Sequence, residues 1–111
     1  MSAIIKTISD LRESAGLSGV DVANVTQASK ATVSRWNTGQ SSPQPRAQRI
    51  LSDLHFVASR LRDFYEPDEV RLWLNNRNEQ LGGETAMELI HDNRVEEVLA
   101  AVEQMEALVY L

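Results

Sequence analysis

Cysteine is missing from this chain of 111 residues, so neither a disulfide staple nor a thiolate metal site can be built, which is compatible with a reducing compartment. Aromatic residues supply only 5% of the sequence, and a core must therefore be assembled mainly from Leu, Val, Ile and Ala. Apolar runs never exceed a few residues, so neither a transmembrane helix nor a signal-peptide core is expected. Strand-like alternation, internal repeats and low-complexity tracts are also absent. The two histidines, His55 and His91, lack metal-ligand spacing and read as structural or surface residues. Two acidic pairs, Asp68-Glu69 and Glu96-Glu97, fall in the first turns of expected helices, where compensation of the helix dipole explains them. Gly82-Gly83 lacks the strand, lysine and flanking glycines of a phosphate loop. The expectation is a soluble, cytoplasmic protein with no catalytic, cofactor or metal site.

What is present is unevenly distributed. The net charge of −5 divides into two halves of opposite sign. Through residue 50, Lys6, Arg12, Lys30, Arg35, Arg46 and Arg49 outweigh Asp10, Glu13 and Asp21, leaving +3. Beyond it, five arginines face 13 carboxylates, leaving −8. A basic end is suited to phosphates and an acidic end is not, although acidic helix surfaces also serve solubility alone.

Periodicity predicts an all-α chain of about seven helices. Ile4, Ile5, Ile8 and Leu11 recur at helical spacing over Ala3 to Ser14, and Gly16 ends that helix. Ser18 caps a short helix to Val25, and Ser29 caps another to about Thr38, stopped by Gly39. Ser41-Ser42-Pro43-Gln44-Pro45 is the strongest loop signal. A long amphipathic helix is expected from Arg46 to Tyr65, with Ile50, Leu51, Leu54, Val57, Ala58, Leu61, Phe64 and Tyr65 on its apolar face. Pro67 restarts a helix through Val70, Trp73 and Leu74, since proline suits the first helical position. Thr85 with Glu88, and Asn93 with Glu96, have capping-box spacing for the last two helices.

Within this pattern, Val22, Ala23, Ser29, Thr32, Val33, Ser34, Trp36 and Gly39 stand where a helix-turn-helix needs them. Ala23 permits a close helix crossing, Val33 and Trp36 fill the wedge, and Ser29 starts the second helix of the pair. The segment Ser18 to Gly39 resembles the Xre/Cro type of helix-turn-helix. That resemblance implies that Ser29, Lys30, Ala31, Thr32, Ser34 and Arg35 face the major groove, with contacts to base edges or phosphates. It also departs from the family in two places. Gly19 stands where a glutamine often braces the DNA backbone, and Gln27 where the turn often has glycine.

From Pro67 onward, Trp73-Leu74, a polar loop, Leu81-Gly82-Gly83 and then Thr85-Ala86-Met87-Glu88-Leu89-Ile90 form a second distinctive layout. It resembles the toxin-binding domain of Xre/MbcA/ParS antitoxins, whose usual partner is a RES-domain toxin that consumes NAD or uses it to modify a target. The terminal apolar cluster is expected either to pack on its own domain or to anchor in a partner. In the resembling antitoxins this region blocks the entrance to the toxin's NAD pocket, which by analogy makes Leu108, Val109, Tyr110 and Leu111 the toxin-binding candidates.

The reading is therefore an antitoxin of a type II toxin–antitoxin system, with a helix-turn-helix region over 1–45, a connecting helix over 46–65 and a toxin-binding domain over 66–111. Its expected partners are a RES-domain toxin, a second copy of the chain and operator DNA. The rival is a stand-alone transcriptional regulator whose C-terminal helices only dimerise.

Overall fold

The computed structural model describes residues 3–109 and places seven α-helices in this order: α1 Ala3–Ala15, α2 Gly19–Thr26, α3 Lys30–Thr38, α4 Pro45–Leu61, α5 Pro67–Asn75, α6 Ala86–His91 and α7 Val95–Val109. A single 3-10 turn, Glu79–Leu81, lies between α5 and α6. Among the described residues the only strand-like pairing is an isolated antiparallel bridge between Arg77 and Thr85. The expected all-α class with an N-terminal helix-turn-helix is what the chain adopts.

The helix ends follow from local chemistry. The Ser18 hydroxyl accepts the Asp21 N–H, and the Asp21 carboxylate accepts the Ser18 N–H at 2.8 Å, so two otherwise orphaned donors are satisfied reciprocally. Ser29 accepts the Thr32 N–H at 3.0 Å, and Thr85 accepts the Glu88 N–H at 3.0 Å. Gly39 closes α3 at φ 80°, a conformation that glycine adopts without steric cost. Gln27, in the turn between α2 and α3, holds φ 58° and carries a side chain in that same left-handed region.

Two expected boundaries are corrected. The long helix stops at Leu61 rather than Tyr65, and the Phe64 and Tyr65 amides both turn back onto the Leu61 carbonyl at 3.0 Å. Pro67 is the cause, because its ring forces the preceding Glu66 into extended backbone, at ψ 164°, and the chain must unwind before reaching it. Asn93 does not cap α7. It sits at φ 63° just past α6, where the Arg94 N–H reaches the Leu89 carbonyl at 2.8 Å, so it terminates one helix rather than starting the next.

Helix α4 is the spine. Its Ile50, Leu51, Leu54, Val57, Ala58 and Leu61 are buried, and it packs against α1 and α2 on the N-terminal side and against α6 and α7 on the other. The core is continuous from Ile8 and Leu11 through α4 to Leu89, Ile90, Val98 and Val102. Each fully buried leucine or isoleucine contributes about 1.5–3 kcal/mol relative to exposure, so both ends of the chain depend on this one helix.

Candidate interaction surfaces

In the helix-turn-helix, Ala23, Val33 and Trp36 are buried as their spacing required. Their burial turns the opposite side of α3 to solvent, leaving Ser29, Lys30, Ala31, Ser34 and Arg35 exposed and Thr32 half-buried. All six DNA-binding candidates thus cluster at one exposed end and face. Three of them form a bonded row: the Ser29 hydroxyl donates to Thr32 Oγ1 at 2.9 Å, and Arg35 Nη2 donates to the same oxygen at 3.1 Å. The Arg35 guanidinium is thereby oriented along the helix without losing its charge to a carboxylate.

The other N-terminal cations are used differently. Lys6 pairs with Asp10 at 3.0 Å. Arg49 pairs with Asp53 at 3.1 Å and donates to the Ile90 and His91 carbonyls at 3.2 and 3.3 Å, adding a side-chain donor to the last carbonyls of α6. Arg46 lies 3.0 Å from His91 Nε2, while His91 Nδ1 lies 2.8 Å from the Val25 carbonyl. One neutral tautomer meets both contacts, with the proton on Nδ1 donating to Val25 and Nε2 accepting from Arg46. Arg12, Lys30, Arg35 and Arg46 remain without a carboxylate partner among the described residues, Arg46 being held against His91. Sequence reasoning did not single out Arg12, because its placement depends on how α1 crosses α3.

Two grooves flank α2. The larger, about 390 Å³, lies toward α5 and α6 and is lined by Asp21, Asn24, Gln27, Glu88, His91 and Asp92 among others. The smaller, about 280 Å³, lies toward α1 and α3, and no carboxylate lines it. Arg71 of α5 reaches the buried Asp21 at 3.2 and 3.3 Å and ties the helix-turn-helix to the C-terminal helices. Desolvation pushes the Asp21 carboxyl up, yet hydrogen bonds from the Ser18 amide, Arg71 and the Ser18 hydroxyl prevail and hold it below the ordinary carboxylate value.

At the far end, Arg60 of α4 pairs with Glu106 of α7 and lies 5.7 Å from the ring centre of the exposed Phe56. Beyond that tie, Ala107, Leu108 and Val109 are exposed in succession. Leu108 is 68% exposed and Val109 58%. The other two tail candidates, Tyr110 and Leu111, lie outside the described residues. Trp73 is half-buried against the core, and Leu81 is buried beneath the Gly82-Gly83 turn, so this part of the distinctive layout serves to build the domain.

Comparison with known proteins agrees with this architecture. A helix-turn-helix domain family matches residues 7–63. The mycobacterial cidal antitoxin MbcA of Mycobacterium tuberculosis, and that of Mycobacterium bovis, are each 28% identical over 111 residues, covering 100% of this chain and 98% of the relative. A probable mycobacterial cidal antitoxin of Mycobacterium tuberculosis is 36% identical over 88 residues, which is 79% of this chain and 75% of that protein. The crystal structure of the Mycobacterium tuberculosis MbcT–MbcA toxin–antitoxin complex contains a chain that superposes with a TM-score of 0.85 at 28% identity, with 100% of both chains covered.

Proposed function

The chain belongs to the helix-turn-helix domain family and to the mycobacterial cidal antitoxins, and from that premise we propose that it neutralises a RES-domain toxin that consumes NAD by obstructing the toxin's active-site entrance. The observation that carries this reading is the last turn of α7, where Leu108 and Val109 stand clear of the core. A leucine held in water on a helix end gains about 1.5–3 kcal/mol when a partner buries it, and central apolar anchors are what hold most interfaces together. Tyr110 and Leu111 continue this segment in sequence and complete the proposed plug. The carboxylates of the C-terminal half supply complementarity for a basic toxin face.

In this proposal the labour is divided along the chain. Residues 1–45 dimerise and bind operator DNA of the antitoxin's own operon through the α3 face. Residues 46–65 connect, and 66–111 engage the toxin, all in the cytoplasm and without a cofactor. The exposed, carboxylate-free face of Lys30 and Arg35 supports the DNA-binding part.

The test is co-purification with the product of the adjacent gene, followed by an NAD-consumption assay with and without this chain. A stable complex and preserved NAD are the expected results. Absence of both would leave the chain as a stand-alone regulator.

A further inference from the structure

The smaller groove beside α2 combines features that no single helix supplies. Arg12 comes from the last turn of α1, Gly19 and Val20 from the start of α2, and Lys30, Ser34 and Asn37 from α3. Its floor contains the side chains of Ile8 and Val33, each 3% exposed, while Val20 at the rim is 43% exposed. Arg12 and Lys30 are exposed, have no carboxylate partner among the described residues, and face no carboxylate across the groove. A methyl group built at Gly19 would meet nothing within 4 Å, so this end is open rather than filled by packing.

We infer that Arg12 and Lys30 form a two-cation clamp for one DNA backbone phosphate, with the apolar floor against the adjoining deoxyribose. The inference rests on the DNA-binding reading and extends it to a residue outside the recognition helix. The chemistry favours a phosphodiester over an acidic protein side chain on two counts. Two unpaired cations and the Ser34 and Asn37 polar groups match an anion with several acceptor oxygens. A sugar attached to that anion accounts for the apolar floor beside it. Gly19 offers no side chain of its own to such a contact, and Arg12 supplies the charge from the neighbouring helix instead.

The experiment measures affinity of the full chain for the duplex upstream of its own gene, and for an unrelated duplex, over a range of salt concentrations. Wild type, R12A, K30A and the double variant are compared, with thermal melts confirming that these exposed substitutions leave the fold intact. One shared phosphate corresponds, for the double variant, to a loss of about 0.9 in the slope of log K against log salt for each bound protomer, so about twice that for a bound dimer, with each single variant giving part of it. The loss should appear on both duplexes, because a phosphate contact carries no sequence information. A double loss near ~1.8 for each bound protomer would mean two separate phosphates per protomer and would overturn the clamp. So would an unchanged slope, or a defect in toxin co-purification with DNA affinity intact. If wild type binds neither duplex, the DNA-binding reading itself fails and the clamp with it, an outcome distinct from wild-type binding that R12A leaves untouched.

Discussion

Helix α3 and the last turn of α7 are both offered to solvent, but they are built in opposite ways. The first is capped at both ends, locked by buried Val33 and Trp36, and shows a polar face whose Ser29, Thr32 and Arg35 side chains are already bonded to one another. The second shows the exposed apolar side chains of Leu108 and Val109 at the last described turn of α7. The difference suits the two kinds of recognition proposed for these surfaces. Reading a fixed duplex rewards side chains that are oriented beforehand, whereas entering a cleft rewards apolar area that gains only when covered. Between them, α4 makes one body of the two, so changes to the spine should affect both surfaces and changes at either tip only one.

The largest expected effect comes from the spine. Leu54→Ala removes a fully buried side chain and should cost roughly 2–5 kcal/mol, lowering a single cooperative melt for the whole chain. Two separate transitions by calorimetry would show that the halves are independent and would break the comparison at its root. Next, Leu108→Asp should weaken toxin binding by about 10–100-fold, on the order of 1–3 kcal/mol, while leaving the melting temperature of the free chain unchanged. Isothermal titration with the toxin reads the first quantity and a thermal melt the second. A fall in melting temperature would place Leu108 in the fold rather than at the interface.

The seam between the two regions gives a pH-dependent effect. Because Asp21 is held below its ordinary value of 3.8 when folded, its ionised form stabilises the native state above that value, and the stabilisation is lost as pH falls through the lowered folded value. The stability gap between wild type and Asp21→Asn should therefore be full at neutral pH and narrow in acid below the ordinary carboxylate range. A gap independent of pH in urea titrations would mean that the Asp21 charge does not join the halves. The smallest effect belongs to the turn. Gln27→Gly relieves a left-handed residue at the cost of chain entropy, so a gain of up to ~1 kcal/mol is expected from denaturant midpoints, with toxin affinity unchanged.

How far the sequence reached depended on whether the cause was local. Ser18, Ser29 and Thr85 were legible as caps because each acts on an amide three residues away. Val33 and Trp36 were legible as wedge residues because helical spacing dictates their side. The end of α4 was misplaced because Pro67 acts upstream of itself, through Glu66, on a helix whose apolar periodicity continues to Tyr65. Asn93 was misassigned because an asparagine is equally suited to starting a helix and to the left-handed position that ends one. Contacts such as Asp21 with Arg71 and Arg49 with the α6 carbonyls join residues about 40–50 apart, and no periodic signal announces them. These contacts also explain why the N-terminal excess of positive charge overstates what is available to DNA. Lys6 and Arg49 are paired with carboxylates and Arg46 is held against His91, leaving Arg12, Lys30 and Arg35.

The most direct test of the account is toxin-driven NAD loss in the presence of the full chain and of a chain lacking residues 108–111. The account predicts that the full chain preserves NAD, while the shortened chain folds with an unchanged melting temperature and fails to protect it. Equal protection by the shortened chain would contradict the claim that the exposed end of α7 closes the toxin.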